Sequence, residues 1–391
     1  MILFEEALKT VLEKAKVIGT EKVKLLDSLN RTLAQDIIAD MDMPPFDKSA
    51  VDGYACKISD IHNILEVIET IQAGSVPKNN IIQNQCSKIM TGAMLPVGAD
   101  CVLMVEHTKE IDSNHIRFTL EKTGINVAYK AEDIKKDAIL LKEGLNIQPQ
   151  HIALIASVGY PELFVYKQPK VAILTTGSEL VEPDSIPALG QIRNSNAWQL
   201  YSQVQKTNAI PVYFGIIEDT EEKTDLAIKK AISENDVVIL TGGVSMGDFD
   251  FVPKILKQNN VDLLFEKIKI RPGKPTVFGI HENAFVFGLP GNPVSSFVLF
   301  EILVKPFLQK MMGSTQSQKN IFLPLATDFK RAKAEVMLWV PSKVNNNSEV
   351  VPVEFHGSAH VSSICEADVI FPIGIGVFEL KKGDLVNVRQ I

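Results

Sequence analysis

Strands and helices alternate along the chain from residue 170 to residue 312, and this alternation constrains the fold more than any other feature. Apolar runs predict strands at 171–174, 211–217, 237–240, 263–270 and 284–287, and helical spacing predicts helices at 196–206, 220–233, 253–257 and 293–312. Alternation of this kind indicates a mostly parallel sheet that is covered by helices on both faces. The sequence therefore predicts a doubly wound α/β domain.

The segments on either side of this region have other patterns. An amphipathic helix is predicted at 3–16, and Pro44 and Pro45 then exclude a helix where the chain crosses between domains. Short alternating runs between 60 and 130 indicate a small all-β module, and helical periodicity returns at 149–158. A polar linker at 312–319 precedes strand-like runs that indicate a second β domain at 321–391. A chain of 391 residues has room for several such domains.

Composition excludes several classes of protein. Lys and Arg number 40 against 47 Asp and Glu, so the net charge of −7 argues against a nucleic-acid binder, and any anionic ligand must be met by local charge. No apolar run approaches the roughly 18 residues of a membrane helix, and the first residues lack a secretory pattern, so we expect a cytoplasmic protein without membrane contact. The four cysteines form no CxxC pair, which indicates reduced thiols.

The loops that follow the predicted parallel strands are expected to converge at one edge of the sheet, where α/β domains bind ligands. Asn292 is predicted to cap a helix and Pro293 to be its first residue. Glycine-rich loops and helix N-termini suit an anion such as phosphate. The residues of these loops that we assign to the ligand are Thr176, Gly177, Gly242, Gly243, Ser245, Pro290, Asn292 and Pro293.

The same loops carry four carboxylates, Glu179, Asp219, Asp248 and Asp250. They would repel a bare phosphate unless a hard divalent cation lay between them, so the pattern indicates Mg²⁺ and a phosphorylated ligand. Arg271 and Lys274, held between prolines at 271–275, suit an oxyanion that the carboxylates do not contact.

Two nucleotide-binding fingerprints are absent from the sequence, which has neither GxxxxGK[ST] nor a GxGxxG that opens a helix. The segment Gly243-Val-Ser-Met-Gly247 does fit the nucleophile elbow of serine hydrolases, and Asp262 and His281 follow in the hydrolase order. That elbow needs a helix directly after the serine, whereas residues 247–250 intervene here, so we disfavour hydrolysis.

A zinc site is the second rival interpretation. His356, His360 and Cys365 are ligand types that zinc accepts. Gly357 and Ser358 favour a turn rather than a helix between the two histidines, so a structural or surface role is the simpler interpretation.

Taken together, the motifs resemble those of the molybdopterin molybdenumtransferase (MoeA) family. The matching segments follow the family order over nearly the whole chain, at 43–55, 89–93, 98–100, 176–180, 241–248, 271–275 and 288–295. The resemblance implies a linking domain at 1–47 and 132–168, an inserted β domain at 48–131, a MogA-like α/β domain at 169–313 and a C-terminal β barrel at 320–391.

The resemblance also implies an activity and partners. Members of the family use Mg²⁺ to cleave adenylylated molybdopterin, place molybdate on the dithiolene and release AMP. They form homodimers in which the α/β domain of one subunit faces the inserted β domain of the other, and contact with a MogA-type adenylyltransferase is expected. A non-catalytic scaffold like gephyrin and a molybdopterin adenylyltransferase are the alternatives.

The resemblance assigns roles to individual residues. Asp52, Asp133, Asp219 and Asp250 take catalytic positions, and Glu179, Asp219, Asp248 and Asp250 would hold Mg²⁺. Thr91 matches a substrate-binding position, and Arg271, Lys274 and Ser295 match positions suited to molybdate or the pterin phosphate. Lys333, Ser358 and Ser362 match C-terminal positions loosely.

The sequence departs from the family pattern at several positions. Ala128 and Ala131 stand where an Arg and a Gly are common, so we expect the loss of a cation and of a permissive turn. Lys48 replaces a usual Asn, and residues 334–339 follow the C-terminal pattern only in part.

Overall fold

The computed structural model describes residues 1–243, 252–315, 319–354 and 360–391. Contacts divide the chain into two compact units. The first comprises Met1–Ala34, Gly144–Gln148 and Glu162–Ile391, and the second comprises Gln35–Glu143 and Pro149–Pro161. The finer division into four domains stays a prediction.

A six-stranded sheet forms the centre of the α/β region in the first unit. Its strands lie in the order Ile210–Ile217, Lys170–Thr176, Val237–Thr241, Phe285–Leu289, Val277–Ile280 and Asp262–Phe265. The first four strands pair in parallel and the last two add antiparallel pairs at one edge. The mostly parallel sheet is therefore confirmed.

Alternate residues of the central strands enter separate cores on the two faces of this sheet, as a pleated strand requires. Ile173 and Ile239 pack in one core with the helices Phe4–Lys14, Ser195–Lys206 and Pro293–Leu299. Leu174 and Leu240 pack in the other core with the helices Glu221–Glu234 and Val252–Gln258. Burial on both faces explains why these strands are continuous apolar runs.

Three elements differ from the sequence prediction. The single strand expected at 263–270 is two strands, Asp262–Phe265 and Ile270–Arg271, and the strand Val277–Ile280 was not predicted. The expected helix at 293–312 contains a π turn, Phe300–Val304, before it continues as Lys305–Met311. Pro306 has no N–H for the carbonyl four residues earlier, and the wider turn just before it accommodates that loss.

The C-terminal part is rich in strands, as predicted. Its six-stranded sheet has the order Ile270–Arg271, Met337–Val344, Val369–Ile373, Leu385–Gln390 and Ile321–Pro324, with Val350–Pro352 added alongside Met337–Val344. Phe329–Lys330 pairs with Glu379–Leu380, and a short helix spans Val361–Cys365. Ile270–Arg271 lies in the sequence between two strands of the α/β sheet, Asp262–Phe265 and Val277–Ile280, and it pairs in parallel with Met337–Val344. Closure into a barrel stays a prediction.

The second unit contains the small all-β module that the sequence predicted. Its six-stranded sheet has the order Cys101–Met104, Gly53–Cys56, Gln85–Ile89, Ile64–Ile71, His115–Phe118 and Thr108–Glu110. The unit also holds the helix Pro149–Ser157 and the small ladders of Lys48–Ser49 with Val127–Ala128 and Ile37–Ile38 with Ile139–Leu141. In the first unit, Thr20–Lys24 pairs with Glu162–Tyr166, and Leu180–Val181 with Ile192–Arg193.

All four cysteines are free. Cys56, Cys86 and Cys101 are buried in the core of the β module, and burial raises the pKa of the Cys86 thiol to about 12. Across the described ranges, the structure contains no helix with the length and apolar character needed to span a membrane.

Candidate functional site

A cavity of about 650 Å³ lies at the carboxyl edge of the α/β sheet. Its wall is formed where Lys170–Thr176 and Val237–Thr241 end and where the helices Ser195–Lys206 and Pro293–Leu299 begin. This volume is in the range of small-molecule sites. The structure brings together, as predicted, Thr176, Gly177, Glu179, Asp219, Gly242, Gly243, Pro290, Asn292 and Pro293.

Gly242 shows why the cavity needs a glycine-rich loop. Its φ is +94°, and a Cβ atom there would lie 2.4 Å from the carbonyl oxygen of Thr176 on the neighbouring strand. Only a residue without a side chain fits this backbone path without strain. The loop therefore keeps main-chain atoms at the cavity surface, where their N–H groups can approach an anion.

The starts of helices give the cavity positive partial charge. The Asn194 side chain caps Ser195–Lys206 by accepting a hydrogen bond from the Ala197 N–H at 3.2 Å. Asn292 is the N-cap residue of Pro293–Leu299, as predicted, but its side chain makes no capping hydrogen bond with described atoms. Pro293 has no N–H, and the Ser296 N–H donates to the Asn292 carbonyl at 3.1 Å, so the Asn292 side chain leaves the N–H groups of Val294 and Ser295 uncapped.

Asn194 also fixes the wall behind the cavity through a buried polar network. Its Nδ2 donates to Thr175 Oγ1 at 2.9 Å and to Tyr213 Oη at 3.0 Å, and Tyr213 in turn donates to Glu182 at 2.5 Å. Burial and the Glu182 carboxylate raise the pKa of Tyr213, so its hydroxyl remains a donor. Such satisfied networks hold side chains in one arrangement.

Asn196 ties together two loops that the sequence placed at the site. Its Nδ2 donates to Thr241 Oγ1 at 3.1 Å and to the Gly291 carbonyl at 2.7 Å, and Thr241 Oγ1 donates to the Pro290 carbonyl at 3.1 Å. Asn194 and Asn196 were not predicted to be site residues. The available signal was the position of one asparagine just before the predicted helix at 196–206 and of the other at its first residue, since asparagine is a common helix cap.

Two of the four predicted metal ligands, Glu179 and Asp219, line this cavity. Asp248 and Asp250, with Ser245, fall in residues 244–251, outside the described residues. Thr176 is 5% exposed, and its Oγ1 has no hydrogen-bond partner within the part of the chain that the structure describes. Counting described side chains alone, no group of three or more His, Cys, Asp or Glu is placed to hold a metal ion.

The predicted oxyanion-binding residues line a second, adjoining cavity of about 400 Å³. Arg271, Lys274 and Ser295 lie in its wall. Pro275, Pro290 and Asn292 line both cavities, so the two spaces share one wall. Arg271 and Lys274 thus lie in the adjoining cavity, apart from the carboxylates, whereas Arg193 lines the larger cavity together with Glu179 and Asp219.

Asp52 and Thr91 lie together in the second unit. Asp52 Oδ1 accepts from the Thr91 N–H at 2.6 Å and from Thr91 Oγ1 at 2.8 Å. Both residues are exposed, and the two hydrogen bonds lower the pKa of the Asp52 carboxyl. Asp52 is thus an exposed, ionised carboxylate in a fixed orientation.

Asp133 is exposed, and its N–H donates to the Met43 carbonyl at 3.1 Å. Two residues earlier, we expected Ala131 to lose the turn that a glycine would permit. That prediction is wrong, because Ala131 adopts a φ of +59°, the left-handed conformation that glycine favours. The turn is kept in spite of the Cβ atom. Lys333 and Ser362 are not among the residues that line the two cavities.

The rival motifs gain no support. Ser245 of the hydrolase-like motif and His356 to Ser358 of the zinc-like motif lie outside the described residues. Asp262 begins an edge strand of the α/β sheet. The His281 ring accepts a hydrogen bond from the Asn283 N–H at 3.1 Å, so that nitrogen has a local structural role.

Comparison with known families assigns most of the chain. Residues 2–159 match the family described as MoeA N-terminal region (domain I and II). Residues 172–310 match the family described as probable molybdopterin binding domain, which coincides with the α/β region that forms the cavity.

Proteins similar over their full length point the same way. The molybdopterin molybdenumtransferase of Staphylococcus epidermidis is 35% identical over 401 residues, covering 99% of this chain and 95% of the relative. That of Bacillus subtilis is 36% identical over 402 residues, covering 99% and 93%. The crystal structure of the molybdopterin biosynthesis MoeA protein from Pyrococcus horikoshii matches all of both chains with 30% identity and a TM-score of 0.85.

Proposed function

The chain belongs to the molybdopterin molybdenumtransferase (MoeA) family of molybdenum cofactor biosynthesis, and on that premise we propose that it inserts molybdate into adenylylated molybdopterin with release of AMP. The observation that carries the proposal is the pair of adjoining cavities. One combines a glycine loop, two helix N-termini and two carboxylates, and the other holds Arg271 and Lys274. A phosphoanhydride and an oxyanion need these two environments side by side.

In the larger cavity we assign the adenylate phosphates to the glycine loop and to the start of Pro293–Leu299. Backbone N–H groups at both places can bind phosphate oxygens, and the helix end contributes positive partial charge. The buried Thr176 hydroxyl, which lacks a partner in the described chain, would bind the same ligand. The Asn194 and Asn196 networks hold these groups in position before the ligand arrives.

The donor set in this cavity fits Mg²⁺. Glu179, Asp219 and Thr176 offer oxygen donors only, and Mg²⁺ commonly uses one or two protein carboxylates together with substrate phosphates and waters. Glu179 and Asp219 would hold the ion, together with Asp248 and Asp250 if the family pattern applies. When bound, Mg²⁺ would neutralise the negative charge that develops as the bond to AMP breaks.

In the adjoining cavity we assign molybdate to Arg271 and Lys274. A guanidinium offers several N–H donors in one plane, and the lysine adds a second positive charge, a combination suited to a tetrahedral dianion. Ser295, which is 2% exposed, adds a hydroxyl to the same wall. The shared wall of Pro275, Pro290 and Asn292 would keep molybdate next to the dithiolene that receives it.

The direct test is AMP release from adenylylated molybdopterin. The purified protein should release AMP only when both molybdate and Mg²⁺ are supplied, and Asp219→Asn should lower the rate by about 100-fold, as for loss of one charge-stabilising group. Glu222→Gln is the matched control, because Glu222 is exposed in the first turn of the following helix and is not among the cavity residues. Wild-type protein without molybdate-dependent AMP release would refute the proposal.

The alternatives give different results in the same experiment. ATP-dependent transfer of AMP to molybdopterin would indicate an adenylyltransferase. Capture of a protein partner without pterin or nucleotide binding would indicate a scaffold like gephyrin.

We further propose a homodimer in which the inserted β domain of one subunit presents Asp52 and Thr91 to the α/β domain of the other, with direct receipt of substrate from a MogA-type adenylyltransferase. A mixing experiment tests the dimer. Asp52→Asn and Asp219→Asn should each keep roughly one hundredth of the activity or less. Dissociated and remixed subunits should recover about a quarter of the wild-type activity, because half of the dimers are mixed and each mixed dimer has one intact site. No recovery would show that both residues act within one subunit.

A further inference from the structure

A polar cavity of about 660 Å³ lies in the first unit and shares no lining residue with the two cavities of the candidate site. Its walls come from the C-terminal end of the helix Ser195–Lys206, from the helix Lys305–Met311 and from the strand Leu385–Gln390. Asparagine, glutamine, serine and threonine residues make up most of the remaining wall. None of the functional assignments above uses this space.

The cavity carries positive charge in a chain whose net charge is −7. Its described lining includes one carboxylate, Glu301, and the four cations Lys206, Lys305, Lys319 and Arg389. Lys305 Nζ lies 2.6 Å from Glu301, which neutralises that pair. The helix end adds roughly half a negative charge. The balance is still strongly positive, because no described carboxylate forms a salt bridge with the other three cations.

Arg389 is held in place and incompletely satisfied. Its guanidinium lies 4.8 Å from the centre of the Trp339 ring, which fixes its orientation. Its Nη1 atom is buried and has no hydrogen-bond partner among the atoms that the structure describes. Burial lowers the pKa of Arg389 to about 10, although the Glu301 charge partly opposes this. A buried donor without a partner is unfavourable, and folded proteins normally supply an acceptor.

We propose that this cavity binds a small oxyanion, with Arg389 donating to its oxygens and Lys206 and Lys319 neutralising its charge. A phosphate group fits the observations, since it is a dianion with several acceptor oxygens, and the three unpaired cations less the half charge of the helix end leave roughly two and a half positive charges. The oxyanion can be free phosphate or the phosphate group of an organic molecule, because the volume holds either one.

Trp339 provides a local readout of binding. The chain has two tryptophans, so Trp198→Phe leaves Trp339 as the sole indole fluorophore, in contact with Arg389. Potassium phosphate titrated into this variant should give a saturable change in emission, and potassium chloride at equal ionic strength should give none. A second titration with glycerol phosphate compares an organic phosphate with the free ion.

Substitutions of the lining cations test whether the change in Trp339 emission arises from binding in this cavity. Arg389→Gln should weaken phosphate binding at least tenfold, and Lys206→Gln with Lys319→Gln should weaken it several-fold. Both lysines are exposed, so the double variant tests the proposal even if Arg389→Gln fails to fold. Lys310→Gln is the matched control, because it removes an exposed cation from the same helix as Lys305 without touching the cavity lining.

The outcomes separate clearly. Saturation by inorganic phosphate alone identifies a free oxyanion as the ligand, and tighter saturation by glycerol phosphate identifies an organic phosphate. The proposal is overturned if neither titration saturates, or if the double lysine variant binds phosphate as tightly as Lys310→Gln.

Discussion

Replacing Gly242 with alanine should destabilise the protein by about 1 to 4.6 kcal/mol. The left-handed backbone at φ +94° costs a residue with a Cβ atom about 1 to 2 kcal/mol. The new Cβ would lie 2.4 Å from the Thr176 carbonyl oxygen, and relieving such overpacking costs about 1 to 3 kcal/mol. Alanine also lowers the conformational entropy of the unfolded chain, which reduces the destabilisation by about 0.4 to 1 kcal/mol.

The contact is costly because Thr176 ends one strand and Gly242 directly follows the strand that pairs with it. Thr175 and Thr241 are neighbours across the parallel ladder, so the Thr176 carbonyl cannot retreat without disturbing that pairing. Urea denaturation, followed by circular dichroism, gives the change in the free energy of unfolding for each variant.

Two further variants separate the two costs. Gly190→Ala has a φ of +88° with nothing near the new Cβ, so it measures the conformational cost alone, about 0.5 to 1 kcal/mol. Gly291→Ala lies on the same cavity, and its Cβ would be 3.7 Å from Gly242 Cα, an ordinary contact, so its stability should be unchanged within about 0.5 kcal/mol. If Gly242→Ala is no less stable than Gly190→Ala, the argument about the Thr176 contact is refuted.

Three other predictions concern Asp52, Asn196 and Ala131. The pKa of Asp52 in the folded protein lies below its ordinary value of 3.8. The ionised carboxylate therefore stabilises the folded state above pH 3.8, and this contribution is lost as the pH falls through the lower pKa of the folded state. Thr91→Val removes the hydroxyl hydrogen bond and keeps the N–H one, so it should raise the pKa of Asp52 in an NMR titration and reduce the acid loss of stability below about pH 4. An unchanged pKa would show that the hydroxyl does not contribute to the shift. Asn196→Ala should cost about 1 to 3 kcal/mol, because it removes the buried hydrogen bond to Thr241 Oγ1 and the half-buried one to the Gly291 carbonyl, and a neutral result by denaturation would contradict those contacts. Ala131→Gly should stabilise the protein by about 0.5 to 1 kcal/mol by relieving the left-handed turn, whereas the control Ala128→Gly, in a strand, should destabilise it, and equal shifts in melting temperature would exclude the conformational explanation.

The buried parallel strands could be predicted from the sequence because their chemistry is simple. Residues 171–174 and 237–240 are uniformly apolar, since both faces of those strands are covered. The strand Val277–Ile280 was missed because Gly279 interrupts it. A Cβ at Gly279 would lie 2.5 Å from Val261, so this glycine reflects close packing between distant segments, which no local pattern reveals.

The residues of the candidate site also fall into those that the sequence predicts and those that it does not. The residues after each parallel strand were predictable, because topology alone brings strand ends such as Thr176 and Gly242 together. The hydrogen bonds of Asn194 and Asn196 were not, since their partners lie on other strands and loops. The left-handed turn at Ala131 was also unpredictable, because the surrounding structure imposes it against the preference of alanine.

The wall of Pro275, Pro290 and Asn292 belongs to both cavities of the candidate site, so ligands bound in the two cavities would contact the same three residues. Any displacement of this wall by one ligand changes the space that the other enters, and the two binding equilibria are therefore linked. Linkage is reciprocal: the factor by which an adenylate changes the affinity for an oxyanion equals the factor by which the oxyanion changes the affinity for the adenylate. The three shared residues thereby couple ligand binding in one cavity to ligand binding in the other, and this coupling requires no movement of a domain.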